Sequence, residues 1–170
     1  MSIVFTPFTH EDMVEGIHAI ADAVEAWSPT LLVGIGRGGL APAVFLSHRL
    51  ALPLVSVDHS AKIAEFGAAL VPVLAARTHA GDRVLLVEDI NDSGKTIGEI
   101  RAMLAAGGAL PDQLRIAVLL DNIRSSQRVD YAFRTIDRDV QKDWFVFPWE
   151  AMASPESLAA DALEIPERIA

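Results

Sequence analysis

The chain has 170 residues, 51% of them hydrophobic and 22% charged, which is enough apolar material for one domain spanning residues 1–170 and too much for a disordered chain. A net charge of −9 excludes an electrostatic nucleic-acid binder of the basic kind, though backbone amides and one or two local cations can still hold a phosphate. The absence of cysteine excludes disulfides, thiol nucleophiles and cysteine-ligated zinc.

Thr9 to Trp27 reads as a helix: Thr9 suits the N-cap, Glu11 and Asp12 the first turn, and Met13, Ile17, Ile20, Ala21 and Val24 recur at helical spacing. Pro29 stops it. Leu31 to Ile35 is a short apolar run leading into glycines, as in a buried parallel strand, and Leu40 to Leu50 reads as a helix with Pro42 near its first turn. Leu54 to Val57 is a second strand. A polar stretch with Asp58, His59, Ser60 and Lys62 follows, then a helical or looped segment to Ala69, and Leu70 to Ala76 is expected as a further strand. Ala80-Gly81-Asp82 is a turn, and Arg83 to Val87 is the clearest strand of all. Thr96 to Ala106 is helical, ended by Gly107 and Gly108. Leu114 to Leu120, Tyr131 to Ile136 and Trp144 to Phe147 are the remaining strands, and Ser154-Pro155-Glu156 opens a last helix as N-cap, N1 and early acid. Strands alternating with helices of about ten residues imply an α/β fold, a parallel twisted sheet flanked by helices. No stretch approaches ~18 apolar residues, and MSIVFTPFTHEDM lacks the pattern of a signal peptide. The expectation is a cytoplasmic protein with neither a membrane nor a nucleic-acid partner.

The chemistry concentrates where Val84 to Val87 stops, the carboxyl end of a strand, where open α/β sheets bind ligands. Glu88 and Asp89 offer carboxylates suited to sugar hydroxyls, directly or through hydrated Mg2+. Ser93, Gly94, Lys95 and Thr96 offer backbone N–H groups, two hydroxyls and an ammonium at a helix start, a cradle for phosphate. An ordinary helix cap needs only Asp92 or Ser93, not an acid pair plus a hydroxyl-rich loop.

Four apolar residues, two acids, two spacers and D-[ST]-G-x-T, written here VLLVEDINDSGKT, resemble the signature by which type I phosphoribosyltransferases bind phosphoribosyl pyrophosphate (PRPP). The likeness is nearest to the bacterial and archaeal purine (xanthine–guanine/hypoxanthine) enzymes. It implies that family's fold, with a small hood built from the terminal segments. It also implies Mg2+-dependent transfer of ribose 5-phosphate from PRPP to a nucleobase, with pyrophosphate released, in nucleotide salvage. By the same resemblance Glu88 and Asp89 engage the ribose hydroxyls and the metal, and Asp92 to Thr96 wrap the 5-phosphate. Asp92 would also lie near the base and assist proton transfer at its ring nitrogen.

Two other motifs compete. GKT at 94–96 is the end of a Walker A loop, but that pattern needs a glycine five residues before Gly94, where Asp89 stands. Gly34-Ile35-Gly36-Arg37-Gly38-Gly39 satisfies G-x-G-x-x-G, with Asp58 closing the next strand, so a dinucleotide-binding module is the alternative; it leaves residues 88–96 without a task. In the favoured reading Gly36, Arg37, Gly38 and Gly39 resemble the pyrophosphate-binding loop of 6-oxopurine enzymes, with Arg37 neutralising departing charge. The family's loop often holds a cis peptide, which here would join Arg37 to Gly38.

Asp143 to Glu150, DWFVFPWE, is similar to the base-binding segment of these enzymes. Trp144 is expected to stack on the base with Phe145 beside it, while Phe147 and Trp149 are expected in the core. The lysine that reads the base in 6-oxopurine enzymes is missing, since Leu119-Leu120 runs into Asp121-Asn122-Ile123-Arg124. Asn122 is the candidate in its place, and the acceptor base stays open. The segment from Asp58 to Phe66 is expected to close over the site, without the family's Ser-Tyr pair and with His59 and Lys62 solvated. His10, His18, His48 and His79 lack metal spacing and are assigned surface or capping duties. The 154–170 segment is expected to pack on the domain or on a neighbouring subunit of a homodimer or homotetramer. A PRPP- or nucleotide-binding regulator without catalysis is the further alternative.

Overall fold

The computed structural model describes residues 3–58 and 64–164. In chain order its elements are β1 (Phe5–Pro7), α1 (His10–Val24), β2 (Leu31–Ile35), α2 (Gly36–Leu50), β3 (Leu54–Val57) and α3 (Ala64–His79). There follow β4 (Val84–Asn91), α4 (Lys95–Ala106), β5 (Leu114–Asn122), β6 (Tyr131–Ile136), β7 (Trp144–Val146) and α5 (Pro155–Leu163). Five strands form one parallel sheet in the order β3-β2-β4-β5-β6.

The apolar runs dictate this sheet. Along β4, Leu85 and Val87 enter one core while Val84 and Leu86 enter the other, the period-two division of a strand covered on both faces. On the first face lie Met13, Ile17, Ile20 and Val24 of α1 with Ala43 and Leu46 of α2. On the second lie Leu74 and Ala75 of α3 with Ile97, Ile100 and Leu104 of α4. Each of the larger side chains among them, fully buried, contributes roughly 1.5–3 kcal/mol, so the two layers around the sheet dominate stability. The α1 start is fixed by a capping box: Asp12 N–H donates to Thr9 Oγ1 (3.0 Å) and Thr9 N–H to Asp12 Oδ2 (2.9 Å).

Four expectations are corrected. Leu70–Ala76 is not a strand but the middle of α3: Val71, Leu74, Ala75 and Thr78 are buried at i, i+3, i+4 and i+7, one helical face. The helix that follows β2 starts at Gly36 rather than Leu40, so the glycine run is its first turn. No cis peptide bond occurs among the described residues, so the bond from Arg37 to Gly38 is trans. The helix expected from Thr9 to Trp27 ends at Val24. His59 and Lys62 lie outside the described residues.

The hood is a two-stranded parallel sheet that joins the two ends of the fold. Phe5 pairs with Trp144, Thr6 with Phe145 and Pro7 with Val146. Among the described residues no helix is long and apolar enough to cross a membrane.

Candidate active site

The central strand outruns its neighbour. The last pair between β4 and β2 is Val87 with Gly34, whereas β4 stays paired with β5 as far as Asn91 and Asp121. Glu88 to Asn91 therefore project beyond the carboxyl end of β2, where the chain turns into α2. This is the crevice at which the strand order changes direction.

The glycine turn packs directly on the acid pair. A Cβ at Gly39 would run into the Val87 carbonyl and Glu88 Oε2, and one at Gly38 into the Asp89 carboxylate. Only glycine allows this approach. Asp89 Oδ1 accepts from the Ile90 N–H (2.7 Å). Glu88 retains some exposure as a residue, but its Oε2 is shut off from solvent and makes no hydrogen bond among the described residues. Burial, then the neighbouring Asp89 charge, push the Glu88 carboxyl well above its usual range, only partly countered by the Gly39 amide. An orphaned buried oxygen beside a second carboxylate suits a hard cation. Among the described residues no group of three metal-ligating side chains exists, so a Mg2+ held by Glu88 and Asp89 would complete its shell with water and ligand oxygens.

The segment after β4 is braced from below. Asn91, a spacer in the sequence pattern, is buried; its Nδ2 donates to Asp121 Oδ1 (2.7 Å) and the Gln127 carbonyl (2.9 Å), and its Oδ1 accepts from Ser125 Oγ (2.8 Å). Ser126 donates through N–H (3.1 Å) and Oγ (2.8 Å) to the Ser93 carbonyl. Gly94 caps α4 at φ +87°, in the left-handed region, and a Cβ there would strike the hydroxyls of Ser125 and Ser126. Ser93, Lys95 and Thr96 thus surround a small recess at the N-terminus of a helix, the geometry that binds anions.

A cavity of about 280 Å³ opens from the acid pair, lined by Glu88, Asp89, Asp92, Thr96, Arg138, Trp144, Phe145 and Glu150. Glu88, Asp89 and Glu150 also line an adjoining recess of about 700 Å³ with Arg37, Gly38 and the α5 residues Ser157, Leu158 and Asp161. Of the expected residues, Arg37 and Gly38 line one end of this groove, Glu88 and Asp89 its middle, and Asp92, Thr96, Trp144 and Phe145 the other end. Glu150 caps the turn after β7 through Phe147 N–H (2.8 Å), and burial raises its carboxyl above the usual range, aided by Asp161 and opposed by Arg37. Phe147 is buried, as expected of a core residue, and stacks on Trp149 (4.9 Å, 8°), while one edge of it also borders the first cavity. A third cavity, about 320 Å³, lies under α4 and is apolar apart from Arg101 and Asp130, which are engaged by Gln127 and the Ile116 N–H.

Arg138 was invisible in the sequence. It is 7% exposed and grips Asp92 through Nε (3.1 Å to each oxygen) and Nη2 (2.8 Å to Oδ2). Its Nη1 donates to the carbonyls of Gln141 (3.2 Å) and Asp143 (2.6 Å), and its guanidinium lies 5.3 Å from the Phe145 ring centre. Asn122, the expected base reader, is spent on the same cluster. Its Nδ2 donates to Asp92 O (3.0 Å) and Oδ1 (3.3 Å), and its Oδ1 accepts from the N–H groups of Arg124 (3.1 Å) and Arg138 (3.2 Å). With both amide ends engaged, Asn122 has the geometry of a brace for Asp92 rather than of a base contact. Nothing in local spacing links Asp92 to Arg138; an arginine between two aspartates reads as solvated surface.

The phosphoribosyl transferase domain family matches residues 10–154. The chain is 35% identical over 115 residues to the adenine phosphoribosyltransferase of Frankia casuarinae, an alignment covering 62% of this chain and 60% of that protein. It thus spans less than two thirds of the length of this curated relative. It superposes on the purine phosphoribosyltransferase of Pyrococcus horikoshii with a TM-score of 0.66 at 25% identity, covering 89% of this chain and 97% of that one. The Helicobacter pylori xanthine-guanine-hypoxanthine phosphoribosyltransferase shares the fold, with a TM-score of 0.65 at 18% identity over 88% and 95% of the two chains. With the match running from the first helix to the end of the hood, this chain belongs to the phosphoribosyl transferase domain family.

Proposed function

We propose that the protein is a Mg2+-dependent phosphoribosyltransferase that transfers ribose 5-phosphate from PRPP to a purine base and releases pyrophosphate, in nucleotide salvage. The observation that carries this reading is the acid pair lying between a glycine turn and a phosphate recess, with Trp144 and Phe145 across the same cavity. The names of the Frankia and Pyrococcus proteins point the same way.

In this reading Glu88 and Asp89 hold the ribose hydroxyls, and residues 93–96 hold the 5-phosphate through amides and hydroxyls. Mg2+, when bound, supplies positive charge against the pyrophosphate. Gly36, Gly38 and Gly39 bring backbone to the leaving group, and Arg37 neutralises it. The bond from ribose C1 to the pyrophosphate oxygen breaks as the bond from C1 to the base nitrogen forms, and the proton displaced from that nitrogen passes to solvent at the open side of the cavity. Trp144 stacks on the base. Asp92 has its carboxylate already engaged by Arg138 and Asn122, so it orients the base side of the site rather than serving as a freely accessible proton acceptor. The whole chain acts as one domain, in the cytoplasm, as a homodimer or homotetramer.

The test is a screen of adenine, hypoxanthine, guanine, xanthine, uracil and orotate with PRPP and Mg2+, read by pyrophosphate release. One or more purines support turnover, and Glu88→Gln with Asp89→Asn abolishes it while the circular dichroism spectrum stays native. No release with any base, or full activity in the double variant, refutes the reading.

A further inference from the structure

A guanidinium carries five N–H donors, and those of Arg138 can be accounted for. Nε and one Nη2 hydrogen go to Asp92, and the two Nη1 hydrogens go to the carbonyls of Gln141 and Asp143. One Nη2 hydrogen is left among the described residues, on a side chain only 9% exposed that lines the aromatic cavity. A buried charged donor without an acceptor is costly, so a ligand that brings an acceptor to it is favoured. Asp92, the acidic neighbour, offers nothing in compensation, because Arg138 and Asn122 already meet both its oxygens. This wall of the cavity therefore presents a donor and no open acceptor.

We propose that Arg138 is a specificity-determining residue, selecting nucleobases that present a ring carbonyl oxygen to this wall over those that present an amino group. A 6-oxopurine sets an acceptor against the guanidinium, whereas the amino group of adenine sets donor against donor. The inference rests on the phosphoribosyltransferase reading and deepens it. It also runs against the naming of the Frankia relative as an adenine enzyme, so the two are separable by experiment. A site built around a polar contact discriminates strongly against the ligand lacking it.

The experiment compares kcat/KM for hypoxanthine, guanine and adenine with the full chain, PRPP and Mg2+. Hypoxanthine or guanine is preferred to adenine by at least about tenfold. Equal or better use of adenine overturns the proposal and leaves the phosphoribosyltransferase reading standing; no turnover with any base removes both. Arg138→Gln raises KM for hypoxanthine about tenfold or more and shifts the base ratio toward adenine, with the KM for PRPP nearly unchanged. Arg138→Lys restores part of the preference. A uniform loss on all bases, with the ratio fixed, marks Arg138 as structural only and overturns the proposal. Should Arg138→Gln fail to fold, the same ratio is read in Asp92→Asn/Arg138→Gln, which removes both members of the buried pair and strands neither charge.

Discussion

Gly39→Ala adds one carbon where the glycine turn meets the central strand. That carbon would overlap the Val87 carbonyl and Glu88 Oε2 and sit 3.0 Å from Glu88 Cα. The obstruction is backbone of β4, buried on both faces, so the strand cannot give way cheaply. Overpacking costs roughly 1–3 kcal/mol, and this geometry belongs at the upper end, about 3 kcal/mol. Alanine recovers about 1 kcal/mol as a better helix former in the first turn of α2, leaving a net loss of about 2 kcal/mol. For a chain of this length that lowers Tm by about 4–8 °C. Gly98 provides the control: it lies inside α4, and its added carbon meets first the Gln127 amide nitrogen at 3.4 Å, the end of a flexible side chain. Gly98→Ala should raise Tm by about 2–4 °C, from about 1 kcal/mol of helix propensity. Thermal melts followed by circular dichroism read both, and titration calorimetry with PRPP reads the site, where Gly39→Ala loses affinity and Gly98→Ala keeps it. A Gly39→Ala protein melting at or above the parent temperature would refute the close-packing argument.

Two further perturbations test the acid pair. The Glu88 carboxyl is raised above 4.5 in the folded state, so the native protein holds that proton longer than the unfolded chain does, and stability falls as pH rises above about 4.5. Glu88→Gln removes this term: its urea midpoint gains on the parent between pH 5 and 8 and converges with it near pH 4, and a pH-independent difference contradicts the assignment. Chelation with EDTA abolishes pyrophosphate release but leaves the melting temperature without PRPP unchanged, because no group of three metal-ligating side chains exists among the described residues; a drop in the ligand-free melt would mean a structural metal.

The sheet was readable because Leu31–Ile35 and Val84–Val87 are short apolar runs bounded by turn residues, the pattern of strands covered on both faces. The run from Leu70 to Ala76 misled for the same reason. Valines around Pro72 look like a strand, but Val71, Leu74 and Ala75 belong to a helical face whose next buried position, Thr78, falls beyond the apolar window. In the site, the acid pair and phosphate recess were legible because their residues are contiguous. The braces were not, since Asn91 and Ser125, or Asp92 and Arg138, are joined only by the lateral pairing of β4, β5 and β6. Where the sequence lacks that lysine, a cation, Arg138 from the loop after β6, does line the cavity beside Trp144.

The pairing of β1 with β7 has a consequence for the order of assembly. During synthesis β1 emerges before the central sheet, yet its partner β7 emerges after it. Until then Phe5, Thr6 and Pro7 have no strand on which to close. The phosphate recess, built from β4 and the start of α4 and braced from the loop after β5, can form from a partial chain. The Trp144 wall cannot, because it lies on β7, which pairs with β1 and emerges after β6. A nascent chain would thus complete the recess at the start of α4 well before the cavity beside Trp144.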